Sequence, residues 1–425
     1  MVKKRKGLLV GVNINNDYKF SESMDELKNL AIACEFEVIG ELVQNLKTFN
    51  KVFCVGPGKV EEINLLIEET NCDVVIFDNE LSPTQLRNLG GILGSEIMDR
   101  TSLILEIFAR RAKTKEAKIQ VELARLQYML PRLVGIKRSL SQQSGGVGIT
   151  TRGPGEKALE LDRRKIEKRI SALNKELEMI SNERQTQRKN RQKAELPSVA
   201  LVGYTNSGKS TLMNALIEYL KKPENRKVLA KNVLFASLDT AVRNINLSDN
   251  RNFLLFDTVG FVSKLPHNLV KAFRSTLEEV SSADLLLHVI DVSSPAYERQ
   301  VEVTEKTLQQ IGAEGIPTIY VYNKSDLTTL KFSIIGHDKV YISALKMTGL
   351  DDLIELINQK IFNQYINCKM FIPYDKSSLI SYLNDNAHVK SVSHKNEGTL
   401  LTLKCRESDY RRYKQFTYTK RGRLI

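Results

Sequence analysis

Apolar positions along the 425-residue chain follow four successive patterns. Over residues 1–100, short apolar runs alternate with stretches of helical period. KVFCV (51–55) and DVVIF (73–77) read as buried strands, with VEEINLLIEE (60–69) as the helix between them. That β-α-β order predicts a small N-terminal α/β domain with a parallel sheet. Over 101–196 the strand signals stop. Ile119, Leu123, Leu126 and Leu130 step by 4, 3, 4, and Ile166, Ile170, Leu173, Leu177 and Ile180 by 4, 3, 4, 3. Each is a narrow apolar seam on a polar helix, so an antiparallel helical hairpin is expected, with Pro131 ending its first helix. Five glycines, Gly145, Gly146, Gly148, Gly153 and Gly155, mark residues 133–157 as the tip loop.

Over 197–365 strands and helices alternate again. SVALV (198–202), NFLLF (252–256), DLLLHVI (284–290), PTIYVY (317–322) and KVYIS (339–343) read as the strands of a doubly wound α/β domain. Residues 366–425, with FIPY, SSLISYL and TLLTLKC, read as a small α+β C-terminal domain. The fold expected is therefore multidomain α/β with a helical insert.

Charge changes this picture in one place. The chain carries 63 Lys+Arg and 50 Asp+Glu, net +13. Residues 110–193 hold 22 basic and 9 acidic side chains, so the entire excess lies there and the other 41 and 41 cancel. A neutral protein with one basic arm suggests a polyanion, most often nucleic acid, docking on that arm. The plainer reading is a solvated Lys/Arg-rich helical face. Lys137, Arg138, Arg152 and Lys157 place charge in the Gly-rich loop and are candidate RNA contacts; a flexible linker is the alternative. No run approaches the roughly 18 apolar residues of a membrane span. Five scattered cysteines without C-x-x-C suggest neither a disulfide framework nor a zinc site, and a cytosolic protein is expected.

Three spaced motifs supply chemistry. Gly203-Tyr204-Thr205-Asn206-Ser207-Gly208-Lys209-Ser210 fits G-x-x-x-x-G-K-[ST] between the strand SVALV and a helix opening at Thr211. Its backbone N–H groups and helix N-terminus suit phosphates, Lys209 suits the β and γ phosphates, and Ser210 suits Mg²⁺. Asp257-Thr258-Val259-Gly260 follows the strand NFLLF. There the carboxylate can reach the Mg²⁺ water shell, and the Gly260 amide the γ phosphate. Asn323-Lys324-Ser325-Asp326 follows PTIYVY. The Asp326 carboxylate can accept from guanine N1–H and the 2-amino group, donors that adenine lacks on that edge. Ser343, Ala344 and Leu345 follow KVYIS and would close over the base. The order and strand-end placement of these motifs predict a GTP site. The residue after Gly260 is Phe261, whose side chain cannot orient water, so slow intrinsic hydrolysis is expected. His267 or Asp239 is the alternative source of that role.

The site resembles that of translation-factor-type GTPases of the TRAFAC class. The rest of the chain resembles the HflX family of the Obg-HflX superfamily, through GPGKVEEI (56–63), FDNELSPTQLRNL (77–89), residues 99–135 and GGVGITTRGPGEKALELDRRKI (145–166). The resemblance implies a GTPase that binds the large ribosomal subunit, both RNA and protein, and splits stalled or stress-inactivated ribosomes; a monomer is the default expectation. The resemblance also implies that the hairpin approaches the peptidyl-transferase centre, and that Phe235, Ala236, Ser237, Leu238 and Asp239 form the first switch, with Ser237 on Mg²⁺. Two chemistries compete with it: a nucleotide-gated RNA-binding assembly or chaperone factor, and a metabolic P-loop kinase, against which Asn323-Lys324-Ser325-Asp326 argues.

Overall fold

A computed structural model of the chain describes residues 4–143, 154–193, 196–220, 241–247, 251–264, 274–328, 338–362 and 365–418. They group into two compact units, the first running from the N-terminus to Asn190 and taking in residues 259–264.

The first unit opens with a four-stranded sheet in the order β2-β1-β3-β4, with every pair parallel. Its strands are β1 (Lys6–Ile14), β2 (Glu37–Leu46), β3 (Val74–Phe77) and β4 (Glu96–Asp99). Helices α1 (Phe20–Ala33), α2 (Pro57–Thr70), α3 (Pro83–Ile92) and α4 (Arg100–Arg111) connect and cover them. Central β1 and β3 are buried on both faces, as their unbroken apolar runs require. Edge strand β2 alternates exposed and half-buried residues.

KVFCV is not a strand. The Asn50 side-chain oxygen accepts from the Val52 and Phe53 amides at 2.8 and 3.0 Å. Asn50 and Cys54 pair across this turn, with Cys54 at φ 70°. The run is apolar because Cys54 and Val55 fill the core beneath α2, not because it is extended.

The helical hairpin consists of α5 (Lys115–Gln143) and α6 (Pro154–Lys193). Ile119, Leu123 and Leu173 are buried in one cluster with Leu126, Ile170, Leu177 and Ile180 against it, so the two predicted stripes meet. Arg169 pairs bidentately with Glu122 (2.7 and 2.9 Å) and Arg184 with Glu116 (2.6 Å). Partners rise on α6 as they fall on α5, which makes the pair antiparallel.

Pro131 lies inside α5 instead of ending it. Its missing N–H interrupts a single hydrogen bond of the helix. Next to it Arg132 stacks on the Tyr128 ring, and donates to the Tyr128 and Leu81 carbonyls and to the buried Asp99 carboxylate. These contacts hold the turn through the proline. Both ends of the predicted loop 133–157 are helical, and residues 144–153, including Arg152, lie outside the described residues. Lys137 and Arg138 fall on α5 and Lys157 on α6; their side chains are likewise outside the description.

The second unit carries a six-stranded sheet in the order β10-β9-β8-β5-β7-β6. The strands β5 (Ser198–Val202), β7 (Asn252–Asp257), β8 (Leu285–Asp291), β9 (Thr318–Asn323) and β10 (Lys339–Tyr341) are parallel and match the predicted runs. The sixth, β6 (Ala241–Asn246), is an antiparallel edge strand whose half-polar sequence gave no signal. Helix α7 (Lys209–Tyr219) follows β5. The chain leaves β7 and returns at β8 on the other side of β5, so a topological switch point lies at the C-terminal end of β5. Downstream, β11 (Tyr365–Pro373), β12 (His388–Lys395) and β13 (Gly398–Arg406) form an antiparallel sheet in the order β11-β13-β12, with the helix Ser377–Asn386 packed on it. Among the described residues no helix is long and apolar enough to cross a membrane.

Candidate nucleotide site

The loop between β5 and α7 occupies that switch point. Gly203 has φ +144° and Gly208 φ +97°, and Asn206 is also left-handed at φ 62°. A Cβ on Gly203 would lie 2.2 Å from the Val289 carbonyl oxygen, and one on Gly208 2.2 Å from Asn323 Nδ2. Both glycines are needed for backbone conformation and for close approach. Gly208 is also the N-cap of α7, so the first amides of that helix face into the loop.

Lys209 is buried, and its amine donates to the Gly203 and Tyr204 carbonyls at 3.0 and 2.7 Å. Burial pulls it down to about 8, against a smaller upward pull from Asp257. Thr205 Oγ1 and Ser207 Oγ are buried without a hydrogen-bond partner. Orphaned buried hydroxyls in a glycine-bent loop at a helix N-terminus fit a phosphate cradle. Ser210 Oγ donates to Asp257 Oδ2 at 2.5 Å, bringing the hydroxyl of one motif to the carboxylate of another. Asp257 ends β7 and is fully buried, and the next residue, Thr258, donates to the Leu201 carbonyl (2.6 Å). This hard-oxygen pair at the phosphate loop fits Mg²⁺.

Asn323 ties the loop after β5 to the chain leaving β10. Its Nδ2 donates to the Ser207 carbonyl (2.9 Å), and its Oδ1 accepts from the Ala344 amide (3.0 Å). Lys324, left-handed at φ 62°, reaches Asp291 Oδ2 at 2.6 Å. Ser325 donates to the Ile342 carbonyl (2.6 Å), fixing the loop after β9 to the chain leaving β10. Hydrogen bonding from Ser343 holds the Asp326 carboxyl below its ordinary range, helped by Lys346 at 3.5 Å. Asp326 is therefore an ionised, pre-positioned acceptor. Leu345 is 79% exposed at the rim, whereas Ser343 and Ala344 are buried.

Sequence reasoning missed two neighbours of this site. Asp291, the last residue of β8, is the partner that orients Lys324; a carboxylate closing an apolar strand is its only local signal. His288 in β8 is buried, and burial with the Lys209 charge lowers it to about 3, so it is a neutral core residue.

Two predicted groups are not gathered in this unit. Phe235, Ala236, Ser237, Leu238 and Asp239 lie outside the described residues, as does His267. Val259, Gly260 and Phe261 belong to the first unit, where Val259 joins the core of the N-terminal domain and Phe261 is buried.

A glycine-bent phosphate loop, a strand-end Asp touching the loop serine, and an Asn-x-x-Asp segment tied to both define a P-loop GTP hydrolase. The chain matches, in order, the families described as GTP-binding GTPase N-terminal (residues 21–109), GTP-binding GTPase Middle Region (111–191), 50S ribosome-binding GTPase (198–324) and HflX C-terminal domain (334–413). It is 48% identical over 368 residues to a GTPase HflX of Caldanaerobacter subterraneus subsp. tengcongensis, covering 87% of this chain and 84% of that one. It is 38% identical over 380 residues to the GTPase HflX of Escherichia coli, covering 88% and 87%. Among solved structures, a GTP-binding protein from Sulfolobus solfataricus in complex with GDP is 28% identical, covering 84% of this chain and 99% of the other at a TM-score of 0.44. The chain belongs to the HflX family of GTPases.

Proposed function

We propose that this GTPase binds the large ribosomal subunit and dissociates ribosomes, chiefly stalled or stress-inactivated 70S particles, with its basic helical hairpin against ribosomal RNA near the peptidyl-transferase centre. The observation that carries the reading is the charged hairpin. The whole net charge of +13 maps to residues 110–193, and α5 and α6 form a long two-helix arm. The family described as a 50S ribosome-binding GTPase matches residues 198–324 and supplies the partner class. Part of the arm's charge is spent internally, on Glu106, Glu116, Glu122, Glu160 and Glu167. The tip residues Lys137, Arg138, Arg152 and Lys157 remain the candidates for RNA contact.

In this reading GTP occupies residues 203–211, Asp326 selects guanine, and Ser210 and Ser237 hold Mg²⁺, with Asp257 behind Ser210. When bound, Mg²⁺ supplies charge compensation at the β and γ phosphates. GTP orders Ser237 and Gly260, the arm inserts, and crowding at the subunit interface displaces the small subunit. Hydrolysis then releases the factor. Phe261 contributes no proton acceptor, so a group brought to order by the ribosome accelerates hydrolysis. The protein acts as a cytoplasmic monomer, partly ribosome-associated.

GTP turnover with purified large subunits, small subunits and free structured RNA tests the partner. Turnover is expected to rise at least tenfold with large subunits alone. Equal stimulation by free RNA would favour a general RNA-binding factor instead.

A further inference from the structure

The five cysteines of the chain fall into two chemical classes. Cys34, Cys54 and Cys72 are buried in the first unit, and burial pushes each thiol up, Cys34 and Cys54 to about 11. At neutral pH such a thiol is almost wholly protonated and a poor nucleophile. Cys368 and Cys405 differ. They stand 37 positions apart in sequence, yet their Sγ atoms lie 3.6 Å apart in the C-terminal domain.

The sheet makes this contact. β11 and β13 are antiparallel, with Ile366 opposite Cys405 and Cys368 opposite Leu403. The two cysteines are therefore diagonal neighbours on one face. That face also carries Met370, Ile372, Leu401 and Leu403, against which the helix Ser377–Asn386 packs. Cys405 is fully buried, whereas Cys368 is half-buried and is the member of the pair with exposed surface. The hydrogen bond between the two sulfurs holds the Cys368 thiol below its ordinary value, against the opposing effect of burial. The same bond raises Cys405, and burial and the Asp409 carboxylate raise it further. Cys368 is thus the sulfur that becomes a thiolate, and Cys405 the one that keeps its proton. A nucleophilic, reachable thiol with a protonated one behind it is the arrangement of an attacking and a resolving cysteine.

We propose that Cys368 and Cys405 form an oxidation site for hydroperoxides, in which Cys368 reacts and Cys405 resolves it to a disulfide joining β11 to β13. The Cys368 thiolate attacks one peroxide oxygen and the O–O bond breaks. Cys368 becomes a sulfenic acid, and the other oxygen leaves as hydroxide, which takes up a proton to give water. The Cys405 sulfur then attacks the sulfenic sulfur. The S–O bond breaks, and the Cys405 proton leaves with that oxygen as a second water. Two thiols are oxidised and one hydrogen peroxide is reduced to two waters. The two strands are already paired along β11, so closing the gap to the roughly 2 Å of an S–S bond asks for side-chain rotation and little backbone movement. In a reducing compartment such a bond is transient, and dithiols reverse it. The inference needs neither GTP nor the ribosome, so its test and that of the ribosomal reading fail separately.

Full-length, reduced, native protein is exposed to hydrogen peroxide, quenched with an alkylating reagent and digested without reductant for mass spectrometry. A Cys368–Cys405 cross-linked peptide pair is expected, forming at a rate independent of protein concentration and lost on adding dithiothreitol. Cys34, Cys54 and Cys72 should react at least about tenfold more slowly in the same sample. With Cys405→Ala, a dimedone-type trap should label Cys368 as the sulfenic acid; with Cys368→Ala, labelling of Cys405 should fall by at least about tenfold. The cross-link in the unsubstituted protein requires no variant to fold. The exposed Met129 and Met179 report the dose. Absence of the cross-link at a dose that already converts them to sulfoxide would overturn the proposal. Oxidation of all five cysteines at similar rates, cross-links only between molecules, or a sulfenic acid on Cys405 instead of Cys368 would overturn it equally.

Discussion

Asp326→Asn should remove guanine selectivity and open the site to xanthine. In the wild type the Asp326 carboxylate is hydrogen-bonded by Ser343, lies beside Lys346 and is kept ionised; in the proposed reading it accepts from guanine N1–H and the 2-amino group. Hydrogen bonds to a charged group contribute roughly 1.5–3 kcal/mol each. Losing the charge and turning one acceptor into a donor should therefore weaken GTP binding by about a hundredfold or more. Xanthine has an oxygen where guanine has the 2-amino group, so the new amide N–H regains a partner. Competition binding with GTP, ATP and XTP reads this directly. The variant should prefer XTP, with ATP still rejected. Retained GTP preference would move base recognition away from Asp326.

Lys209→Met should be the most damaging single change to nucleotide binding while leaving the fold at least as stable. The amine is enclosed and answered by two backbone carbonyls, and burial has lowered it to about 8. A phosphate chain beside it favours the charged form and raises it again. Removing one partner of such a buried pair costs about 2–5 kcal/mol, on the order of thirtyfold to several thousandfold in affinity. The sign of the pH effect follows. Above pH 8 the free protein has begun to lose this proton, whereas the complex retains it, so binding takes up a proton. GTP affinity then falls as pH rises through 8, by at most about tenfold per unit. Calorimetry at pH 8.5 in buffers of different ionisation heat should count up to one proton taken up. Lys209→Met should abolish that uptake and subtract any contribution from the nucleotide itself. Without nucleotide the variant's unfolding midpoint should not drop, since a costly buried cation has gone.

The phosphate loop and the Asn323–Asp326 segment were legible in sequence because each is local. Their glycines, lysine and carboxylate are fixed by a few consecutive residues, and β5, β7 and β9 precede them as unbroken apolar runs. The hairpin seam was legible because its period needs no knowledge of the partner helix. KVFCV misled because burial and extension give the same apolar run, and only the Asn50 side chain separates them. Pro131 misled because a local rule was outweighed by Arg132 anchoring to Tyr128, Leu81 and Asp99. The buried cluster in which Arg100 Nε donates to Asp78 Oδ1 at 3.0 Å and Lys264 pairs with the same carboxylate was invisible for another reason. Its members come from the ends of β3 and α4 and from a segment more than 150 residues later, and each alone is an ordinary surface-type residue.

The basic arm and the GTP site together make one central claim, that the triphosphate state drives the factor into ribosomes and separates the subunits. Sedimentation of intact 70S particles, with this protein and either a non-hydrolysable GTP analogue or GDP, tests it most directly. The account predicts that the analogue moves material from the 70S peak to free subunits, with the protein co-sedimenting on the large one, and that GDP does neither. Splitting by GDP to the same extent, or intact particles in both states, would contradict it.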